Sequence, residues 1–288
     1  MKIGFIGLGA MGGPMAASLE RAGHAVQSFD LSGKGNRKSL RDACEGAEVL
    51  FTSLPGPAEV DSIGKEVSVP VWFDLSTNSP KRVRALHKTL LPKVQLLDAP
   101  VSGGPNGAKS GKLAIWVGGD RATYDKYLPV LKAIGDQPFY VGTVGAGTVA
   151  KLAHNAASFT VQASLAEIFT LGVKGGVEPL ALFQALRQGA TGRKRTFDRL
   201  PEHFLNGKYD PADFTVRLAH KDVTLAMELA AEVGVPMRVG KIALDELSEA
   251  MKRGWAERDC RVAMTLQEER AGISVKVPDS ALRDALKD

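Results

Sequence analysis

Cysteine is scarce in this sequence: among 288 residues only Cys44 and Cys260 occur, and they lie far apart. Because neither belongs to a metal-ligand or redox motif, we predict reduced thiols, as in a cytosolic protein, and no metal site. We also find no apolar run long enough to cross a bilayer, and predict no membrane span. Five glycines between Gly4 and Gly13 argue against a signal peptide. We therefore expect a cytoplasmic protein.

A clustered basic surface is not evident either. Lysine and arginine outnumber the acidic residues by 37 to 32, and the formal net charge is +5. The basic residues are scattered apart from Lys34–Arg41 and the triplet Arg193, Lys194 and Arg195. This distribution suits an anionic small molecule, and we predict no nucleic-acid partner. The length and the hydrophobic content of 44% are sufficient for two globular domains.

The first thirty residues carry a dinucleotide-binding pattern. An apolar strand, Lys2–Ile6, precedes a GxGxxG turn and a helix, and a second strand, Ala25–Phe29, ends at Asp30. The glycines permit a tight turn and let a pyrophosphate approach the helix N-terminus, while the acid binds ribose hydroxyls. A glycine turn without a ligand is the alternative. The predicted cofactor contacts in this turn are Gly7, Leu8, Gly9, Ala10, Met11 and Gly12.

The choice between NAD and NADP depends on Asp30. A carboxylate at this position repels the 2′-phosphate of NADP, so the sequence favours NAD. Lys34, Arg37 and Lys38 follow closely and could offset that repulsion, which leaves NADP open.

Strand and helix patterns alternate as far as residue 141. The further predicted strands are Val49–Leu54, Val69–Leu75, Gln95–Asp98, Leu113–Val117 and Pro138–Val141, with helices at Ala58–Lys65, Pro80–Leu91 and Arg121–Ile134. Repeated strand–helix units predict a doubly wound, mostly parallel sheet, whose ligands bind at the carboxyl ends of its strands. At such ends lie Leu54 and Pro55, which we predict as cofactor contacts, and Thr77.

The second half of the chain reads as helical. The predicted helices are Thr148–Lys174, Pro179–Arg187, Thr196–Leu205, Ala212–Val233, Met237–Lys252 and Asp259–Ala271, and the tail from residue 275 is an exposed helix or disordered. The predicted fold class is therefore α/β, with an N-terminal Rossmann doubly wound sheet plus a C-terminal all-helical domain. We assign residues 1–144 to the dinucleotide-binding domain and residues 145–288 to a substrate and oligomerisation domain, whose first long helix carries Lys151.

The stretch Gly142–Asn155 has the sequence GTVGAGTVAKLAHN. Lys151 and Asn155 are four residues apart and share one helical face. Because its neighbours are mostly apolar, Lys151 is expected to be partly desolvated, which lowers the pKa of an ammonium group toward that of an acid–base catalyst. The alternative is that Lys151 extends into solvent and Asn155 caps a bend.

A polar, glycine-rich loop follows the strand that ends at Asp98. Ser102 offers a hydroxyl, and Gly103 and Gly104 can bring backbone N–H groups close to a carboxylate. A turn without a ligand is the alternative here.

Three motifs together resemble the 3-hydroxyisobutyrate dehydrogenase (β-hydroxyacid dehydrogenase) family: GLGAMG with Asp30, DAPVSGGPNGAKSG from Asp98 to Gly111, and GTVGAGTVAKLAHN. The resemblance covers nearly the whole chain. It implies an NAD(P)-dependent oxidoreductase that oxidises the 3-hydroxyl of a small carboxylate substrate, and a homodimer or homotetramer. The resemblance implies that Lys151 is the acid–base group, that Asn155 orients the substrate, and that Ser102, Gly103 and Gly104 hold its carboxylate. It further implies that Thr77 lines the pocket of nicotinamide and substrate. Three residues of the second half would face the active site: Lys221 toward the cofactor, and Phe214 and Asp222 toward the substrate.

Two departures and three alternatives accompany this resemblance. His154 stands where many members have Asn, and we expect it to pack away from the site. We interpret the triplet Arg193–Arg195 either as a solvated helix start or as a binding site for a second anionic group of the substrate. An imine reductase of the same architecture is disfavoured by Lys151, and a 6-phosphogluconate dehydrogenase by chain length. A non-catalytic NAD-binding sensor is disfavoured by the intact set of Lys151, Asn155 and Ser102.

Overall fold

A computed structural model describes residues 1–198 and 200–285 of the chain. The chain packs as two compact units, Met1–Ala157 and Ser158–Asp288. The division falls inside helix α7, Ala146–Lys174, so Lys151 and Asn155 belong to the first unit. The boundary predicted between residues 144 and 145 stands at the start of this helix and remains a prediction.

The first unit is built on one sheet, which confirms the predicted doubly wound, mostly parallel arrangement. In the described part of the chain its strands are β1 Lys2–Ile6, β2 Ala25–Phe29, β3 Val49–Thr52, β4 Val71–Asp74, β5 Gln95–Asp98, β6 Val101–Ser102, β7 Ala114–Gly118 and β8 Gln137–Gly142. Their order is β2-β1-β3-β4-β5-β7-β6, and β8 pairs with β7. Strands β1 to β5 are parallel, whereas β7 runs antiparallel to β5 and β6. Strand β2 is added on one side of β1, and β3 on the other. Because the order of strands reverses at this point, a crevice is expected at the carboxyl ends of β1 and β3.

Helices cover both faces of this sheet. They are α1 Gly12–Arg21, α2 Leu40–Cys44, α3 Pro57–Gly64, α4 Pro80–Leu90, α5 Gly104–Ser110 and α6 Arg121–Leu131. Residues alternate between the two faces: Phe51 and Phe73 stack on one face with ring centroids 5.3 Å apart, while Leu50 and Trp72 belong to the core of the other. Burial on both faces explains why these strands read as continuous apolar runs.

Two short elements replace the predicted loop after Asp98. Strand β6 pairs Ser102 with Ala114 of β7, and helix α5 begins at Gly104. Gly103 and Gly104 have φ values of +133° and +62°, which favour glycine and turn the chain sharply between the two elements. Neither element was predicted, because each is too short to show the periodicity of hydrophobic residues that marks a strand or a helix.

The second unit is helical, as predicted. Its helices beyond α7 are α8 Pro179–Gln188, α9 Val216–Val233, α10 Arg238–Lys252, a 3₁₀ helix Cys260–Met264, α11 Thr265–Ala271 and α12 Asp279–Ala285. The predicted helix Thr196–Leu205 is wrong where it is described, because the chain there forms turns; Arg199 lies outside the described residues. Pro201 lacks the N–H that a helix interior requires. The predicted tail forms α12, and residues 286–288 lie outside the described residues.

Helix α7 corrects the prediction that no segment could span a bilayer. It has 29 residues, and its most apolar window has a mean hydropathy of 1.3 with 6% of that window buried. By length and composition alone, α7 could therefore cross a membrane. The interruption of its apolar residues by Lys151 and Glu167 explains why the sequence did not read as one run.

Candidate active site

The turn after β1 has a shape that only glycine permits. A Cβ added to Gly7 would lie 2.3 Å from the carbonyl oxygen of Ser53, and one added to Gly12 would lie 1.9 Å from that of Gly7. Gly9 differs, because an added Cβ would meet no atom within 4 Å. Two glycines are therefore needed for packing, and the third leaves backbone open to a ligand at the N-terminus of α1.

Asp30 fixes this turn to the end of β2. Its Oδ2 accepts a hydrogen bond from the Leu8 N–H at 2.6 Å, and its Oδ1 accepts from the N–H and the hydroxyl of Ser32 at 2.8 and 2.5 Å. The Ser32 hydroxyl, followed by the Leu8 N–H, holds the pKa of Asp30 below its ordinary value. A carboxylate has about four lone-pair positions, so one remains for a ribose hydroxyl.

A cavity of about 760 Å³ opens beside this turn. It is lined by most of the predicted cofactor residues: Gly7, Gly9, Ala10, Met11, Gly12, Asp30, Leu54 and Pro55. Leu8 contributes through its N–H to Asp30 instead. A glycine cradle, a helix N-terminus and an ionised acid around one cavity fit the pyrophosphate and ribose of a dinucleotide.

The loop that carries Thr77 is held by the buried carboxylate of Asp74. Asp74 accepts hydrogen bonds from Thr52 Oγ1, Ser76 N and Asn78 Nδ2 at 2.9, 3.1 and 3.1 Å. The Ser76 hydroxyl in turn accepts from the Leu54 N–H at 2.9 Å. Burial raises the pKa of Asp74. These bonds join the loops after β3 and β4 and leave Thr77 exposed between buried neighbours.

The start of helix α7 is held by a second buried carboxylate, Asp98 at the end of β5. It accepts hydrogen bonds from Gly145 N, Thr148 N and Thr148 Oγ1 at 2.6, 2.6 and 2.8 Å. Gly145 directly precedes α7 and Thr148 lies in its first turn, where the N–H groups have no partner within the helix. Burial raises the pKa of Asp98. Sequence reasoning assigned no role to Asp98, because its partners lie 47 and 50 residues away.

Close backbone contact brings the same turn onto strand β7. A Cβ on Gly147 would lie 2.2 Å from the carbonyl oxygen of Trp116, and one on Gly118 would lie 2.8 Å from Gly147 N. No larger residue fits at either position without movement of the backbone. The first turns of α7 therefore occupy a fixed place over the end of the sheet.

Lys151 lies one turn further along this helix and is half-buried. Its Nζ is 5.9 Å from the centre of the Trp116 ring. Burial lowers the pKa of Lys151, in the direction inferred from its apolar neighbours. Asn155 is also half-buried, one turn after Lys151 on the same helical face.

His154 corrects an expectation, because it does not point away from these residues. Its Nε2 is 3.3 Å from the Ser102 hydroxyl oxygen, and its ring centre is 5.1 Å from that of Trp116. The spacing explains this position, since a residue three places after Lys151 shares its helical face. Trp116 was missed altogether, although it stands on the predicted strand that precedes this site.

The carboxylate loop predicted from the resemblance adjoins this cluster. Ser102 is half-buried, while Gly103 and Gly104 are exposed. A Cβ on Gly104 would meet nothing within 4 Å. The structure thus brings Ser102 and two accessible glycine backbones to the end of β6, with His154 against the hydroxyl.

The remaining predicted residues belong to the second unit. Phe214 is partly exposed, and its N–H donates to Asp259 Oδ2 at 3.3 Å, as that of Asp213 does at 3.1 Å. Lys221 and Asp222 are exposed and form an ion pair of 2.9 Å. The buried Asp259 was missed by sequence reasoning.

A group of possible metal ligands surrounds Asp259: side-chain atoms of His203, Asp213 and Asp259 lie within 4.8 Å of one another. The guanidinium of Arg261 lies 2.9 Å from Asp259 and already supplies a positive charge there. His203 Nε2 also contacts Asp213 at 3.0 Å. This group is satisfied as a hydrogen-bonded network, and the absence of a metal remains a prediction.

Known proteins match both halves of the chain. Residues 2–142 match the family described as the NAD binding domain of 6-phosphogluconate dehydrogenase, and residues 145–266 match that described as NAD-binding of NADP-dependent 3-hydroxyisobutyrate dehydrogenase. A 2-(hydroxymethyl)glutarate dehydrogenase of Eubacterium barkeri is 35% identical, with 96% of this chain and 97% of the relative covered.

Solved structures agree with these matches. The 3-hydroxyisobutyrate dehydrogenase of Mycobacterium tuberculosis with L-serine is 31% identical, with a TM-score of 0.63 and coverage of 92% of this chain and 98% of that one. An imine reductase from Pseudomonas sp. has a TM-score of 0.78 over 91% and 98% of the two chains. Its sequence identity is 17%, so the likeness extends to the fold alone.

Proposed function

Because the chain belongs to the 3-hydroxyisobutyrate dehydrogenase family of β-hydroxyacid dehydrogenases, we propose that Lys151 is the acid–base group of its reaction. The chain is an NAD(P)-dependent hydroxyacid dehydrogenase. The reaction removes a proton from the 3-hydroxyl and a hydride from the same carbon, and yields an aldehyde or ketone. The observation that carries the proposal is a half-buried lysine with a lowered pKa, on a helix start fixed by Asp98.

Lys151 is suited to take the hydroxyl proton. A neutral amine is a base, and burial increases the neutral fraction at a given pH by disfavouring the ammonium. Asn155, one turn away, is placed to orient the same hydroxyl with its amide. The bound nicotinamide accepts the hydride.

Ser102, Gly103 and Gly104 are proposed to hold the substrate carboxylate. The Ser102 hydroxyl and the exposed glycine backbones provide donors, and holding the carboxylate fixes the carbon that reacts. We assign Thr77 to the pocket of nicotinamide and substrate. Phe214 and Asp222 are assigned to the substrate, and Lys221 to the cofactor.

NAD is the proposed cofactor. The ionised Asp30 leaves acceptor capacity for a ribose hydroxyl and repels a 2′-phosphate. The Arg37 side chain is directed to Gln27, whose Oε1 accepts from its Nη2 and Nε at 2.8 and 3.2 Å.

We also propose a homodimer or homotetramer in the cytoplasm. Helices α7 and α8 expose large apolar side chains, including Phe159 at 67%, Leu165 at 47% and Leu180 at 61%. Large apolar side chains exposed in this number are typical of interfaces, and the proposed occupant is a second copy of the chain. Light scattering should give two or four times the mass of one chain, and Phe159→Asp should lower it. A wild-type monomer would contradict the proposal.

The proposed activity is tested by following cofactor reduction with NAD and, separately, NADP. The acids are 3-hydroxyisobutyrate, L-serine and 2-(hydroxymethyl)glutarate, which the names of the relatives suggest. Lys151→Ala should lower kcat/KM by about 10²- to 10⁴-fold and leave cofactor affinity unchanged. Lys126→Ala, an exposed lysine of α6, is the control.

Each outcome of this experiment bears on a separate part of the proposal. Turnover that survives Lys151→Ala would overturn the assigned mechanism. A preference for NADP would overturn only the role of Asp30. Tight cofactor binding without turnover of any acid would favour an imine substrate or a non-catalytic sensor.

A further inference from the structure

His154 contacts two parts of the candidate site at once. Its Nε2 is within hydrogen-bonding distance of Ser102 Oγ, at 3.3 Å. Its ring also packs against Trp116, with centroids 5.1 Å apart and the planes inclined by 48°. Trp116 stands in turn beneath Lys151 Nζ. One tryptophan therefore supports both the imidazole and the proposed base.

We propose that His154 is a positioning residue that sets the direction of the Ser102 hydroxyl. This inference rests on the proposed function, in which Ser102 binds the substrate carboxylate. When His154 carries hydrogen on Nε2, it donates to Ser102 Oγ, and the serine keeps its own hydrogen for the carboxylate. The site is thereby selective for substrates that bring an anionic, acceptor-only group to Ser102.

The opposite tautomer would defeat this arrangement. A hydroxyl has one hydrogen and two lone pairs, while a carboxylate only accepts. If Nε2 of His154 lacked hydrogen, the Ser102 hydroxyl would donate to it and present lone pairs to the carboxylate. A donor at position 154 therefore decides whether Ser102 attracts or repels the substrate.

Packing against Trp116 supplies the second requirement, a fixed ring. If the imidazole could rotate freely, other ring atoms would come to lie beside Ser102 in place of Nε2, and the hydrogen bond between His154 and Ser102 would be lost. Because Trp116 borders the ring and the helix start is fixed by Gly147 and Asp98, the Nε2 position is set from both sides. This is how a residue that does not itself bind the carboxylate can control its affinity.

Kinetics of four variants test this role. His154→Phe keeps a ring against Trp116 but removes the donor, and should raise KM about tenfold with little change in kcat. His154→Gln can place an amide N–H near the Nε2 position and should stay within about threefold of wild type. In a Ser102→Ala background, His154→Phe should add less than about twofold, because its partner is gone.

Contrary results would identify a different role. Effects of His154→Phe and Ser102→Ala that multiply would show that His154 acts independently of Ser102. A loss in kcat with KM unchanged, or a Gln variant as impaired as the Phe variant, would also overturn the proposal.

A measurement that needs no turnover separates this inference from the proposed function. ¹⁵N-labelled histidine NMR reports which ring nitrogen carries hydrogen, and His154→Gln identifies the signal by its loss. The expected state has hydrogen on Nε2, with a shift in that signal when Ser102 is changed to Ala. A signal for Nδ1–H with an unprotonated Nε2 would overturn the inference even if the enzyme is active. An inactive protein with the expected signal would instead count against the proposed substrate.

Discussion

At the N-terminal end of helix α7, the buried Asp98 carboxylate accepts hydrogen bonds from the helix, and Gly147 lies against the backbone of β7. At the C-terminal end, Gly172 lies instead against the side chain of Leu182, where an added Cβ would meet Cδ2 at 2.5 Å. Backbone cannot yield as a leucine side chain can. The same helix is therefore fixed at one end and adaptable at the other.

This difference follows the division of tasks along the helix. The fixed end carries Lys151 and Asn155, whose proposed chemistry requires placement to within a fraction of an ångström. The helix beyond its fixed end carries exposed apolar residues such as Phe159 and Leu165, which suit a surface that a second chain covers. A single element thus serves two proposed purposes, and its contacts change accordingly.

The largest effect is expected from removal of the carboxylate that holds the fixed end. Asp98→Ala leaves the N–H groups of Gly145 and Thr148 buried without acceptors, and should lower the free energy of unfolding by about 4 kcal/mol. Urea unfolding measures this loss. Asp98→Asn, which keeps one acceptor oxygen, should lose less. A loss below about 1 kcal/mol for the alanine variant would mean that the helix start does not depend on Asp98.

A smaller effect comes from adding one methyl group at either end of the helix. Gly147→Ala places Cβ 2.2 Å from the Trp116 carbonyl oxygen and should lower the free energy of unfolding by about 2 kcal/mol. Gly172→Ala should be neutral within about 0.5 kcal/mol, because alanine favours the helix and Leu182 can change rotamer. Urea unfolding of the two variants under the same conditions compares them directly. Equal losses would refute the distinction between the two ends.

The sequence predicted those parts of the fold whose cause is local. The turn from Gly7 to Gly12 and the alternating strands were confirmed because close packing of glycine and burial on both sheet faces act on neighbouring residues. The predicted helix Thr196–Leu205 failed where it is described, since the composition of the segment suggested helix although Pro201 interrupts it.

The site was harder to predict, because its supports are distant in sequence. Lys151 and Ser102 were predicted from their motifs, and their roles stay predictions, whereas the residues that hold them in place were not predicted. Asp98 contacts groups about fifty residues away, and Trp116 lies against Lys151 and His154 from another element. A helical wheel does place His154 on the face of Lys151, so its position could have been predicted from spacing alone.

The smallest effect concerns a more solvent-exposed counterpart of Asp98. Glu167 of α7 accepts hydrogen bonds from the N–H groups of Arg238, Val239 and Gly240 at the start of α10, at 2.8 to 3.1 Å. These bonds, led by that of Val239, lower the pKa of Glu167, whereas burial raises that of Asp98. The two carboxylates hold helix starts in similar ways, yet solvent exposure reverses the direction of the shift.

A lowered pKa gives Glu167 a defined pH dependence. The folded state favours the ionised form, so its contribution is complete above about pH 4.5, the ordinary pKa of the group, and is lost as pH falls through the lower folded-state value. Glu167→Gln should therefore lower the free energy of unfolding by about 1 kcal/mol at pH 7, and by less at pH 3. Urea unfolding at the two pH values measures this difference, with the exposed Glu232→Gln of α9 as the control for loss of one charge. The same loss at both pH values would mean that Glu167 stabilises α10 through packing and uncharged hydrogen bonds. The charge of Glu167 would then play no part in holding the helix start.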